Sequence, residues 1–147
     1  MSAASHPHFR ELSDEQARLL LARNHVGRLA FALHDRVDIQ PVNYVYDDGW
    51  IVGRTQIGSK LVMLAHHPWC AFEVDEVRGI FDWDSAVIRG SFSILDPELN
   101  SPDRYERALA RLRELIPAAL TSSDPVPDRA ILFGLHIAEL TGRSARP

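Results

Sequence analysis

At 147 residues, with 46% hydrophobic and 24% charged side chains, the chain has room for one globular domain and no second substantial unit. Sixteen basic against twenty acidic residues leave a net charge of −4, which removes the electrostatic case for nucleic acid or an anionic membrane surface. A single cysteine, Cys70, excludes an internal disulfide framework and a cysteine-based zinc cluster. No stretch approaches the roughly 18 apolar residues of a membrane span, and the polar start lacks a secretory core, so a cytoplasmic location is expected. One asymmetry stands out: every basic residue is Arg except Lys60.

Ser13, followed three residues later by Gln16, has the form of a capping box and opens a first helix. Ala17, Leu20 and Leu21 continue one face, with Asn24 next on it, and His25 and Gly27 end the helix. Three β-type segments follow at Gly27–His34, Val37–Asp47 and Trp50–Thr55. His34-Asp35-Arg36 and Asp47-Asp48-Gly49 between them carry turn chemistry and predict an antiparallel meander. Pro41 has no N–H, so its place inside the second strand predicts an edge or a bulge there.

A short helix is expected over Gly58–His66, stopped by Pro68. Cys70–Val77 and Ala86–Leu95 then read as strands. Ser101 and Pro102 open a second long helix whose stripe of Tyr105, Ala108, Leu109, Leu112, Leu115 and Ile116 has helical spacing. Such a stripe is core packing. Its arginines, Arg104, Arg107, Arg111 and Arg113, read as a solvated charged face. A loop over Pro117–Pro127 precedes a last strand, Arg129–Thr141. The expected fold is mainly β (α+β): an antiparallel barrel or sheet with peripheral helices.

The segment from Gly53 to Lys60 holds most of the chemistry. A strand ends in Arg54-Thr55, a glycine turn follows at Gly58, and Ser59-Lys60 opens a helix. Helix-start N–H groups, two hydroxyls and two cations are the parts of an anion site. The same residues also suit a polar turn that caps a short helix. The phosphate-loop pattern is not met, because Ser and Lys stand in the reverse order. His66, His67 and Cys70 do not make a metal or thiol centre, since adjacent histidines diverge and Pro68 breaks the segment. Cys70 reads as a packed thiol, His136 as a hydrogen-bonded or surface strand histidine, and the acidic loop of Asp75, Glu76, Asp82 and Asp84 as solvated.

The order of these features, from LSDEQARLLLARNHVGRLAF through Pro41-Val42-Asn43-Tyr44 and Arg54-Thr55 to Gly58-Ser59-Lys60-Leu61, resembles the pyridoxamine 5′-phosphate oxidase-like superfamily. These are FMN-binding split barrels whose smaller members include nitroimidazole-resistance-type reductases. The closing IAELTGR is similar to that family's last strand. The resemblance implies an antiparallel Greek-key split β-barrel with peripheral helices, spanning residues 1–147 as one domain. It implies FMN, with its phosphate against Arg54, Thr55, Ser59 and Lys60, Leu61 following in the same segment. Pro41, Val42 and Asn43 would lie along the ring, and Trp83 would reach the partner's flavin. It further implies a homodimer with the cofactor at the subunit interface and a flavin-dependent oxidoreductase. That enzyme would pass electrons from a reduced nicotinamide to a small acceptor. A deazaflavin or haem in the same barrel, or FMN held without turnover, are the alternatives. The C-terminal Arg and His residues that hold the vitamin phosphate in true pyridoxamine-phosphate oxidases have no match in IAELTGRSARP, so vitamin B6 synthesis does not carry over.

Overall fold

The structure, a computed structural model, describes residues 6–58, 64, 66–98 and 102–147. The expected short helix over Gly58–His66 and the Ser101 cap therefore fall largely outside the described residues. Among the described residues, seven strands and two helices run in the order β1 (His8–Glu11), α1 (Asp14–Arg23), β2 (Val26–Leu33), β3 (Arg36–Asp47), β4 (Trp50–Thr55), β5 (Trp69–Gly79), β6 (Asp82–Leu95), α2 (Pro102–Leu115) and β7 (Ile131–Arg146).

All pairings are antiparallel, in the order β1-β7-β4-β3-β2-β5-β6, and β6 returns to pair with β7, which closes a barrel with β1 appended outside it. The long β7 makes this closure possible. It lies along β6 from Leu132 to Ala145, while on its other side its first half pairs with β4 and its last four residues with β1. This strand extends well past the Thr141 expected from the sequence, β6 starts four residues before Ala86, and β1 was not expected.

Local chemistry explains the elements. Ser13 Oγ accepts from the Gln16 N–H while the Gln16 side chain accepts from the Ser13 N–H, so two otherwise unpaired donors of α1 are satisfied reciprocally. Ala17, Leu20 and Leu21 on its inner face plug the barrel. Asp48 and Gly49 both have positive φ, 42° and 87°, the backbone of the tight turn that matches strand twist between β3 and β4. At Gly90 a Cβ would sit 2.0 Å from the His136 carbonyl oxygen, and the β6–β7 register shifts at this point.

Two cores result. The barrel interior is filled by Tyr44, Ile51, Phe72, Ile88, Phe133 and Leu135 together with the α1 plug. The opposite face of β3 and β4 carries Val45 and Val52, covered by Ala108, Leu109 and Leu112 of α2. The arginines of α2 are solvated on their outer side, as expected, and also reach back to the barrel. Arg107 forks onto the buried Asp47 at 2.8 and 3.0 Å, Arg113 donates to the Ala119 carbonyl, and Arg104 lies over the Trp50 ring. These contacts clamp the helix to the barrel, and Arg107 holds the Asp47 carboxyl below its ordinary range. The acidic loop is likewise engaged: Asp84 is buried with Arg78 and Arg146, and Glu76 is gripped by Arg23.

Candidate functional site

The barrel is split between β3 and β4. Their ladder runs from Asp47↔Trp50 to Tyr44↔Gly53 and ends there; beyond it β4 stays with β7 while β3 stays with β2. In an antiparallel strand, alternate residues turn both backbone groups to one neighbour and then to the other. The Tyr44 N–H donates to the His25 carbonyl, on the β2 side. By that alternation the backbone groups of Val37, Ile39, Pro41 and Asn43 face the split. Pro41 is tolerated because its missing N–H would have pointed into the opening, not at β2. The edge position expected from the sequence is therefore this split.

A cleft of about 350 Å³ occupies the opening, lined by Phe31, Asp38, Ile39, Gln40, Thr55, Gln56, Ile57 and Gly58. Thr55 comes from the inner face of β4, in phase with Ile51 and Gly53. Asp38 and Gln40 come from the matching face of β3, where the strand leaves the packed interior marked by Val42 and Tyr44.

The residues expected at the site divide into those this cleft gathers and those it does not. Thr55 lines it. Pro41, Val42 and Asn43 do not line it but follow its lining residue Gln40 along β3: Val42 is buried in the barrel core, while Pro41 and Asn43 are exposed. Arg54 faces the other side of β4. Its side chain is 5% exposed and forks onto Asp124, itself 2% exposed, at 2.5 and 2.7 Å. Trp83 sits in the β6–β7 ladder opposite Ala145, next to the Phe9 ring, and belongs to another part of the chain's surface. Ser59, Lys60 and Leu61 lie outside the described residues. Phe31, Asp38, Ile39, Gln40, Gln56 and Ile57 were not expected. The sequence signal for the strand residues among them was Pro41, which marks where β3 loses its second neighbour.

No group of three or more His, Cys, Asp or Glu among the described residues is placed to hold a metal. Cys70 points into the barrel, and burial pushes its thiol up to about 12, so it is a packing residue and not a nucleophile. His136 lies on the outside of β7 with its ring 4.8 Å from that of Trp50. No described helix is long and apolar enough to cross a membrane.

The cleft thus has the strand edge of β3 on one wall and Thr55, at the end of β4, on the other. The sequence model described as pyridoxamine 5′-phosphate oxidase matches residues 13–144. The chain belongs to this family. A relative in Mycobacterium tuberculosis, the protein Rv0080, is 31% identical over 103 residues, covering 65% of this chain and 66% of its own length, just under two thirds.

Among solved structures, an FAD-binding protein from Mesorhizobium loti superposes with a TM-score of 0.75 at 24% identity, covering 95% of this chain and 99% of that one. A candidate 5-nitroimidazole antibiotic resistance protein from Bacteroides thetaiotaomicron superposes at 0.71 with 14% identity, covering 95% and 89%. An FAD and haem binding protein from Mycobacterium smegmatis gives 0.67 at 16% identity, covering 92% and 72%. At these identities the structures share the fold, a split barrel of mostly antiparallel strands.

Proposed function

We propose that this member of the pyridoxamine 5′-phosphate oxidase family is an FMN-binding flavoprotein. It would act as a flavin-dependent oxidoreductase between a reduced nicotinamide and a small acceptor. The observation that carries the reading is the split itself: a cleft with, on one wall, a run of strand backbone groups that no other described strand pairs with, and Thr55 on the other. A flavin ring has one apolar body and one polar edge of carbonyls and ring nitrogens, and an open strand edge satisfies such an edge without side chains. The residues present fit the group. The backbone of Ile39, Pro41 and Asn43 would hold the ring edge, while Thr55 with Ser59 and Lys60 would take the phosphate. Bound flavin supplies the two-electron chemistry. The chain's part is to orient the ring and leave one face open to a donor and an acceptor.

A second copy of the chain would complete the site. On the outer face of β2, β3 and β5, Ala30, Ala32 and Ala71 form a shallow groove bounded by Val37, 73% exposed, and Trp69, 55% exposed. Phe31 lines both this groove and the cleft, so a copy seated on the groove would also cover the cleft. Small residues flanked by large apolar ones allow close approach of two sheets. The homodimer proposed here rests on that continuity, with Trp83 reaching the other copy's flavin.

Mass spectrometry of the ligand released from purified protein tests the cofactor: FMN is expected, and FAD, a deazaflavin or haem would replace that assignment. Anaerobic mixing with NADH and with NADPH tests the activity. Bleaching of the flavin bands is expected, and a flavin that stays oxidised with both would leave a binding protein without turnover.

A further inference from the structure

Arg54 precedes Thr55 in β4, and it is turned away from the cleft. It takes the α2 side of β4, in phase with Val52, where the loop after α2 passes. Asp124 of that loop receives both arms of its guanidinium, and the same carboxylate accepts the N–H groups of Leu120 and Val126. Leu120 has a positive φ of 58°, and its neighbour Ala119 is fully buried in the second core. The Asp124 carboxyl is held well below the usual range, first by the Arg54 hydrogen bonds and then by those backbone donors. Four donors thus converge on one buried carboxylate, and a loop without helix or strand is tied to the end of β4.

We infer that Arg54 is a positioning residue: its charge is spent on Asp124, and the pair latches the loop after α2 to β4 and so fixes the wall of the cleft at Thr55. A buried bidentate pair of this kind is not free to bind a second anion. Swinging Arg54 onto a phosphate would leave Asp124 a buried charge without a cation, held only by the Leu120 and Val126 N–H groups. The inference runs against the anion-site expectation for Arg54, and its bearing on cofactor rests on the flavin reading above.

Two readouts separate latch from ligand. Hydrogen–deuterium exchange follows the loop around Leu120 and Val126, and the ratio of FMN to riboflavin affinity isolates the phosphate contribution. In Arg54→Met and in Asp124→Asn, exchange in this loop should accelerate at least tenfold. Affinity for FMN and for riboflavin should fall together, leaving their ratio within about twofold of the parent chain. Arg54→Lys keeps the charge but not the fork. It should show the same faster exchange and the same unchanged ratio, and it serves where the Met variant does not fold. Unaltered loop exchange, a tenfold drop in the ratio on losing the charge, or a rise in the ratio when Asp124→Asn frees the guanidinium, overturns the latch. If the parent chain binds neither flavin, the flavin reading fails while the exchange measurement still decides the latch.

Discussion

Arg54 and Thr55 are adjacent in sequence and face opposite sides of β4: Thr55 lines the cleft, and Arg54 lies buried against Asp124 under the loop that follows α2. Strand geometry forces this division, because successive side chains alternate between faces. Two residues that read as one polar pair in sequence therefore serve different parts of the molecule. One presents a hydroxyl to the site, and the other holds the wall from behind.

The cleft's described lining includes no Arg or Lys, so the phosphate charge should fall to Lys60. Lys60→Ala removes one charge-assisted contact, about 1.5–3 kcal/mol, and should weaken FMN roughly ten- to a hundredfold. Riboflavin, which lacks the phosphate, should bind the variant as it binds the parent. Flavin-fluorescence titration of both ligands checks this. Equal losses for the two would place Lys60 elsewhere.

The meander, the capping box, the α2 stripe and the Asp48-Gly49 turn were legible because each depends on residues close in sequence. What was not legible depends on partners far along the chain. Asp124 in a proline-flanked loop carries no local mark of its bond to a strand 70 residues away. The four-residue β1 has no pattern of its own and exists because the end of β7 offers an edge. Arg107 and Arg111 resemble any solvated helix face until Asp47 is seen beneath them. Pro41 did announce a missing neighbour, but which strand departed, and hence where the cleft opens, is set by β7 drawing β4 away from β3.

The groove over β2, β3 and β5 gives a test of assembly. Ala71 lies in this groove between Ala30 and Arg89 in the ladder, so a long charged side chain there would stand between two docked sheets. Ala71→Glu should convert a dimer to a monomer, measured by light scattering after size exclusion, with the fold retained by circular dichroism. FMN should be lost at the same time if the second copy completes the site. A parent chain that is monomeric at high concentration removes the proposed interface.

Gly90 tests how the barrel closes. Its absent Cβ would lie 2.0 Å from the His136 carbonyl oxygen and 2.9 Å from a Leu135 methyl. The nearer obstacle is backbone in a paired strand, so it cannot move without breaking the β6–β7 ladder. Gly90→Ala should cost about 3 kcal/mol, at the upper end for overpacking, and lower the melting temperature by roughly 6–12 °C. A melting temperature within a degree or two of the parent would show that the bulge yields easily.

Acid should weaken the fold through Glu76. Arg23 grips its carboxylate at 2.7 and 2.8 Å and the Asn24 amide adds a third donor at 2.7 Å, which pulls the group from 4.5 down to about 2. A carboxyl depressed in the native state binds its proton more weakly there than in the unfolded chain. Its contribution is therefore complete above the unfolded value of 4.5 and disappears as pH falls towards about 2. Glu73 works in the opposite sense, since burial raises its carboxyl and its contribution is lost as pH rises. Replacing Glu76 alone separates the two. In urea unfolding, the stability gap between the parent chain and Glu76→Gln should be widest near neutral pH and should narrow progressively below about pH 4.5. A gap that holds constant down to about pH 3 would mean that the Arg23–Glu76 fork contributes no pH-dependent stability.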